Sequence, residues 1–407
     1  MKEYDAIVVG ARAAGSPTAM LLARKGYDVL VVDRAEFPSD TMSTHVIHPP
    51  GMAALHRWGL ADRIVASGCP ALPVYRLDLG ELVLSGRPRG LPGAPVAYAP
   101  RRIILDALLV EASAAAGAEV REGFSVEALI VEDGMVRGIS GHTRDGKRVT
   151  ERARVVIGAD GVNSLVARMA GATTYDEVPP SEALYYAYWS SVDAAPEFQL
   201  FSHEDRGFAL IPTNDGLTIV LVAWPNDQFE TNKRDLEGTY LRSIEADPVI
   251  ADRVRGATRE SKLVGTRMSG FYRQAWGSGW AMVGDAGYHK DAVTAQGISD
   301  GFRDAEAVAA ALDDVFCERA TFASALAAYQ ETRDRLTKPM YELTNQLASF
   351  DPPPPEMEEL LGALSMSPDG TDDLMSVIAG TMGVEEFFDP ENVARYVAAP
   401  EGTVIAK

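Results

Sequence analysis

Tyr4-Asp5-Ala6-Ile7-Val8-Val9-Gly10-Ala11-Arg12-Ala13-Ala14-Gly15 is the stretch that decides the fold. It opens as a largely apolar run of strand length and passes into a turn of small residues from Gly10 to Gly15. The apolar positions Ala19, Met20, Leu21, Leu22 and Ala23 continue as a helix, and a second short strand, Val29-Leu30-Val31-Val32, ends on Asp33. Strand, glycine turn, helix, strand, acid is the order of a dinucleotide-binding unit. Gly10 permits the tight turn, and Gly15 lets the helix approach the sheet. The helix start offers unpaired N–H groups and a partial positive charge to a pyrophosphate. Asp33 stands a little over ~20 residues past Gly10, where an acid grips the ribose. The middle glycine of the usual G-x-G-x-x-G pattern is Arg12 here. Its side chain must swing away from the pyrophosphate or lie along it as a counter-charge.

Composition bounds the class. The 407 residues are 46% hydrophobic and 24% charged, which suits a globular enzyme of two or three domains. The net charge of −20 argues against nucleic acid and against lasting contact with anionic lipid. Cys69 and Cys317 make neither a disulfide framework nor a metal pattern, so a reducing cytoplasm is expected and no metal site is read. No signal peptide is expected before the first strand, and no apolar run reaches the ~18 residues of a membrane span.

Further along, a helix is expected from Met52 to Trp58, stopped at Gly59. Residues 70–98 are rich in Gly and Pro and read as an excursion into a second domain. An amphipathic helix begins at Arg101-Arg102 and closes near Gly117. Three strands follow, joined by the hairpin signals Glu132-Asp133-Gly134 and Arg144-Asp145-Gly146. They end in the buried strand that exits through Gly158-Ala159-Asp160-Gly161. Residues 181–270 read as an antiparallel sheet covered by a helix near Lys233 to Glu245. Trp280 to Asp285 returns to a buried strand. Helices from Gly297 to Leu312 and from Phe322 to Leu336 come next, then the stiff linker Asp351-Pro352-Pro353-Pro354-Pro355. Short helices finish the chain, the last opening at Asp389-Pro390. The fold class is α/β: a discontinuous Rossmann-like domain (1–75, 98–180 and 270–340), an inserted antiparallel-sheet substrate domain (76–97 and 181–269) and a C-terminal helical segment (341–407).

Three separated stretches place small residues and an acid at strand exits: Gly10 to Gly15 with Asp33, Gly158 to Gly161, and Gly284-Asp285-Ala286. Ligands of doubly wound sheets sit at such carboxyl ends. On these residues the chain resembles, over roughly residues 4 to 340, the flavoprotein monooxygenase superfamily. That superfamily includes para-hydroxybenzoate hydroxylase with its halogenase and geranylgeranyl reductase relatives. More narrowly, Asp40-Thr41-Met42-Ser43-Thr44-His45 and Gly284 to Asp291 are similar to an actinobacterial group of NAD(P)/FAD-dependent oxidoreductases. The resemblance implies FAD, held in a domain of the discontinuous glutathione-reductase type. The implied contacts are Gly10, Arg12, Ala13, Ala14 and Gly15 at the turn, Asp33 and Arg34 at the ribose, and Thr44 in the following loop. They continue with Arg102 (Arg101 as fallback), Asp160, Gly161, Gly284 and Asp285. Gln296, Gly297 and Ile298 would aim a helix start at flavin N1 and the C2 oxygen, where reduced flavin carries negative charge. The chain departs from the family at Tyr288, where His is usual, at Ala292, where a Pro faces the flavin, and at Thr294, where a Gly is usual.

The implied reaction is a monooxygenation. An apolar or aromatic small molecule is hydroxylated or epoxidised through a flavin C4a-hydroperoxide, with molecular oxygen as co-substrate and NAD(P)H as transient electron donor. There is no second nucleotide-binding fold, so NAD(P)H binds transiently or a flavin reductase supplies the electrons. Such chemistry asks the protein to exclude water, aim the substrate and move a proton. His45 and His289 are the catalytic candidates; each can equally be a structural hydrogen-bonding residue, as can His48. Lys290 and Asp291 read as an ion-paired loop. Tyr186, Tyr188, Phe208 and Trp224 are candidates to line the substrate, although alternating aromatics also simply pack a sheet. An isoprenoid double-bond reductase is the alternative, with residues 356–398 walling a lipid-sized groove. A halogenase is a weaker one, because Gly207-Phe208-Ala209-Leu210-Ile211-Pro212 keeps the Ile-Pro of the halogenase strand and lacks both of its Trp residues. A flavin-binding sensor without turnover is the reading of a different class.

Overall fold

The computed structural model describes residues 2–203 and 205–397. Its first sheet is built on Glu3–Val9, which lies parallel between Val29–Val32 and Arg148–Gly158. Trp280–Met282 extends the sheet in parallel beyond Arg148–Gly158, and Glu119–Arg121 extends it beyond Val29–Val32. The first strand is apolar on both faces because both are covered. Ala6 and Val8 pack under the helices, while Tyr4, Ile7 and Val9 pack toward an antiparallel meander. That meander is Ser125–Glu132, Met135–His142 and the first half of Arg148–Gly158. Its Asp133-Gly134 turn has φ +49° and +75°, the pair of positive values that a two-residue hairpin with right-twisted strands requires.

Register decides where the exits fall. Val9 pairs with both Val32 and Gly158, and Gly158 pairs with Met282. Gly10, Asp33, Asp160 and Gly284 therefore emerge along one edge of the sheet. Over the helical face lie Gly15–Arg24, Arg102–Ala115 and the twenty-residue helix Gly297–Phe316.

The second sheet runs in the order Thr258–Arg259, Glu182–Ser190, Leu217–Pro225, Arg206–Pro212, Glu197–His203, Val74–Asp78, Val83–Gly86. Glu182–Ser190 pairs along its full length with Leu217–Pro225. Side chains alternate between faces. Leu184, Tyr186 and Tyr188 point to one core with Ile211, Ile219 and Leu221, whereas Ala187, Trp189, Phe208 and Trp224 point to another under helix Leu236–Ala246. The first of these cores is completed by the C-terminal helices Pro355–Ser365 and Pro368–Ile378, through Leu360, Leu364, Met375 and Val377.

Two helices differ from expectation. The helix expected to stop at Leu336 runs from Phe322 to Leu347 through Pro339. A mid-helix proline costs ~3 kcal/mol, and the burial of Met340, Tyr341 and Thr344 beyond it offsets that loss. The helix expected over Lys233 to Glu245 is broken. Phe229–Asn232 and a tight turn at Lys233–Asp235 precede Leu236–Ala246, and Asp235 caps the latter by accepting from Gly238 N–H at 3.2 Å. The last helix, Pro390–Val397, starts where expected, with Asp389 accepting from Glu391 N–H at 2.9 Å. Among the described residues no helix is long and apolar enough to cross a membrane.

Candidate active site

The glycine turn is a cradle with no room for side chains. Gly10 has φ +103°, and a Cβ on it would lie 2.3 Å from the carbonyl oxygen of Ala159. A Cβ on Gly15 would lie 1.8 Å from the Gly10 oxygen. Asp33 ties the first two exits together: its carboxylate accepts from Ala11 N–H and Ala35 N–H, each at 2.8 Å. Each carboxylate oxygen has a second acceptor position, free for sugar hydroxyls. Arg34 beside it is exposed, and Ala13 and Thr44 are half-buried.

Arg12 swings aside. Its guanidinium donates to Asp106 Oδ2 at 2.6 Å and to Ser39 Oγ at 2.9 Å, and it lies 5.2 Å from the Phe37 ring centre. Arg102 Nε donates to the other oxygen of Asp106 at 3.0 Å. Two guanidinium groups thus share one fully buried carboxylate. The excess positive charge sits beside the turn.

The other exits divide their roles. Asp160 turns back to cap helix Leu165–Ala170, accepting from Ser164 Oγ, Leu165 N–H and Val166 N–H at 2.5, 2.7 and 3.1 Å. It shapes the exit, while Gly161, at φ +77°, borders open space. Gly284 donates its N–H to Asp304 at 3.0 Å, and a Cβ on it would meet the Ala14 Cβ at 2.8 Å. Ala14 also packs 3.4 Å from where a Cβ of Gly301 would be. The starts of helices Gly15–Arg24 and Gly297–Phe316 therefore converge here. Asp285 is exposed between them, and Gly297 is exposed with nothing within 4 Å of a Cβ. Ile298 is buried, and Gln296 donates its Nε2 hydrogen to Ile378 O at 2.9 Å, joining this helix start to the C-terminal segment.

The histidines separate by their unused nitrogens. His48 is fully satisfied: Nε2 donates to Thr294 O at 3.0 Å and Nδ1 accepts from Tyr75 Oη at 2.5 Å. Burial pushes its pKa down to about 4. His289 donates Nδ1–H to Ser269 O at 2.7 Å and stacks on Phe271. His45 is wholly buried, with Nε2 2.5 Å from Tyr188 Oη and no partner for Nδ1. Burial, then the charges of Arg102 and Arg101, push its pKa down to about 3, so the ring is neutral. Ser43 fastens this loop to the sheet, since its N–H donates to Tyr186 Oη at 3.2 Å and its Oγ accepts from His45 N–H at 3.0 Å.

Lys290 pairs with Asp300 of helix Gly297–Phe316, not with Asp291 as expected from the sequence. Asp291 closes its own loop by accepting from Val293 N–H at 3.0 Å. Its buried neighbour Glu182 is pushed well above the usual carboxyl range by burial and by the Asp291 charge.

The structure brings His45, Tyr186, Tyr188, Arg101 and Arg102 together. It does not bring Phe208 and Trp224 to them. Those two lie on the opposite face of the sheet, Trp224 donating to Ser243 Oγ at 3.0 Å under the outer helix. Sequence reading missed Asp106 and Asp40. Asp106 stands one helical turn past Arg102, a spacing that favours the ion pair.

The residues present fit a flavin dinucleotide. The glycine turn leaves no room for side chains, the starts of two helices converge beside it, and a buried imidazole nitrogen has no protein partner. The family model described as FAD binding domain matches residues 3–344. The digeranylgeranylglycerophospholipid reductase of Methanocella arvoryzae is 30% identical over 302 residues, covering 73% of this chain and 74% of that protein. The 6-methylpretetramide 4-monooxygenase of Streptomyces rimosus is 27% identical over 323 residues, covering 77% and 75%. Among solved structures, the flavin-dependent brominase Bmp2 superposes with TM-score 0.81 at 18% identity, over 97% of both chains. PqsL from Pseudomonas aeruginosa, a probable FAD-dependent monooxygenase, superposes with TM-score 0.70 at 21% identity, over 93% and 99%. These two share the fold. With the family model spanning most of its length, the chain belongs to the FAD binding domain family and is an FAD-dependent oxidoreductase.

Proposed function

We propose that the chain is a monooxygenase that uses FAD, NAD(P)H and molecular oxygen to hydroxylate or epoxidise an apolar or aromatic small molecule. The observation that carries this reading is the buried cluster of His45, Tyr186 and Tyr188, beside Arg102, which shares Asp106 with Arg12 of the glycine turn. When bound, the flavin supplies the electron transfer and the activation of oxygen. The chain supplies the rest. Asp33 would hold the ribose, the glycine turn and the start of Gly297–Phe316 would bind the pyrophosphate and flavin, and Arg12 with Arg102 would offset their charge. Apolar side chains of the second sheet and the C-terminal helices keep water from the substrate. Electrons come from NAD(P)H bound transiently or from a separate flavin reductase.

A second reading, reduction of isoprenoid double bonds, is favoured by one observation. The C-terminal helices close the apolar core of the second sheet through Leu360, Leu364, Met375 and Val377, and a lipid chain would be taken up by parting these contacts. Halogenation has less support, because Gly207–Pro212 lacks tryptophan. Oxygen uptake decides between the first two. Purified FAD-loaded protein is given NADPH and a panel of phenols, aromatic acids and polycyclic aromatics. Substrate-dependent uptake of oxygen with product gaining one oxygen atom is expected. NADPH consumed only without air, with loss of a geranylgeranyl double bond, favours the reductase. A flavin that NADPH and a flavin reductase both leave oxidised points to a sensor.

A further inference from the structure

Two carboxyl groups are buried together where the second sheet meets the loop that leads into helix Gly297–Phe316. Glu182 and Asp291 are each 5% exposed. Glu182 opens strand Glu182–Ser190. By alternation it shares a face with Leu184 and Tyr186, the face on which Ala292 and Ala295 of the loop pack. Asp291 Oδ1 accepts from Val293 N–H at 3.0 Å. Its Oδ2 is buried and has no donor. The side chain within hydrogen-bonding reach is Glu182, and an ionised carboxyl has only lone pairs to offer. One proton between the two acids supplies the missing donor. It also turns a like-charge contact in a dry interface into a charge-assisted O–H···O bond. The Val293 N–H favours the anion of Asp291, so the proton rests on Glu182.

The neighbouring charges are turned elsewhere. Lys290 pairs with Asp300, which also accepts from Arg303. Arg267, on the strand beside Glu182–Ser190, lies 4.3 Å from the Phe229 ring centre. His289 favours the Asp291 anion when it is charged, and its Nδ1 hydrogen is held by Ser269 O. Opposite Glu182 stands Pro225, and helix Phe322–Leu347 meets the loop through Thr344. The loop itself is under strain. Ala295 has φ +52°, a backbone region that residues with a Cβ seldom occupy and that packing must enforce. Thr294 anchors it twice, through its carbonyl to His48 and through its hydroxyl to Thr344. Glu182 is the tie to the start of the second sheet's longest pairing.

We propose that Glu182 and Asp291 are positioning residues that share one proton and so hold residues 291–297 against the second sheet, keeping the start of helix Gly297–Phe316 in place for FAD until the proton leaves. The proposal rests on the FAD reading and adds to it a pH-dependent grip set at the interface of the two sheets. Burial and the Asp291 charge raise Glu182, and burial raises Asp291. A raised folded value leaves the bond complete on the acid side and loses it as pH rises through that value.

Infrared spectra and equilibrium dialysis of the FAD-loaded chain test this. At neutral pH the difference between parent and Glu182→Gln should contain the carbonyl stretch of a protonated carboxylic acid, moved by transfer to D2O. Its absence overturns the shared proton. From neutral to alkaline pH the parent should lose FAD affinity about tenfold or more. Glu182→Gln, whose amide donates to Asp291 at every pH, should hold the neutral affinity throughout, whereas Glu182→Ala should be weak already at neutral pH. A parent without the alkaline loss, or a Glu182→Gln that loses affinity as the parent does, overturns the positioning role. Asp291→Asn, which keeps one donor and one acid, gives the same comparison should Glu182→Gln fold poorly. A chain that takes up no FAD at any pH overturns the cofactor reading, while the infrared band still reports the shared proton in the apoprotein.

Discussion

Arg12 occupies a glycine position, and the structure explains how the turn tolerates it. The side chain leaves the groove and reaches Asp106, which Arg102 already holds. Arg12→Gly removes charge-assisted hydrogen bonds but leaves Asp106 paired. A loss of about 1–3 kcal/mol in stability is expected, with FAD affinity reduced about tenfold. Asp106→Ala strands two guanidinium groups and should cost about 3–5 kcal/mol. Denaturant melts and flavin-fluorescence titrations of the two variants check the order. A larger loss in Arg12→Gly than in Asp106→Ala would contradict the shared-carboxylate account. His48 gives a second prediction at this scale. Burial holds it neutral, with its pKa down at about 4, whereas the unfolded imidazole titrates near ~6.5. The unfolded chain therefore binds more protons between those values, and stability is lost as pH falls through that window. Melting temperatures from pH ~7 to ~4 should fall less steeply in His48→Gln than in the parent.

At the level of elements, the sequence carried the dinucleotide unit and the three exits because each is local. A strand ending in small residues and an acid is visible without knowing its neighbours. Which face of the second sheet meets the groove is not local. Period-two alternation separates Tyr186 and Tyr188 from Trp189, but nothing in Phe208 or Trp224 says which side the outer helix covers. The run through Pro339 was hidden for the same reason, since the contacts that offset the proline come from distant residues. The C-terminal segment shows how such contacts are made. Asp373 is buried and accepts from Arg89 Nη2 at 2.5 Å, Tyr396 Oη at 2.7 Å and Arg395 Nη2 at 3.1 Å. Arg89 belongs to the stretch after strand Val83–Gly86, so this carboxylate clamps the segment to the second sheet. Asp373→Ala should loosen the segment as a unit, with stability down by about 3 kcal/mol. New proteinase K cleavage should appear within the helices Pro355–Ser365 and Pro368–Ile378, whose buried faces the loosening uncovers. Mass spectra of limited digests check this; a digest identical to that of the parent means that the apolar contacts alone hold the segment.

Across the whole molecule, a second histidine lock works in the opposite pH direction from His48. His203 lies between two carboxylates, with Nδ1 2.5 Å from Asp247 and Nε2 3.1 Å from Asp78. Asp247 also accepts from Ile250 N–H at 2.9 Å at the start of helix Pro248–Arg253. The ring therefore joins the strands Glu197–His203 and Val74–Asp78 to the outer helical layer. Burial alone would lower its pKa, but the hydrogen bonds and charges of Asp247 and Asp78 together raise it. A raised folded value means that the stabilisation is complete below the unfolded value of ~6.5 and is lost as pH rises through the folded value. Deprotonation then leaves two carboxylates sharing one neutral ring, in a chain whose net charge is already −20. The melting temperature of the parent should thus decline on the alkaline side as well. His203→Gln should lower it near pH ~6 and flatten that alkaline decline, while bound FAD per chain stays the same, because the lock stands on the face of the second sheet turned from the groove. Adding salt should soften the decline in the parent only modestly, since the pair is largely shielded from solvent. An alkaline limb that survives unchanged in His203→Gln would place its origin elsewhere among the carboxylates, and would reduce His203 to a packing residue of the second sheet.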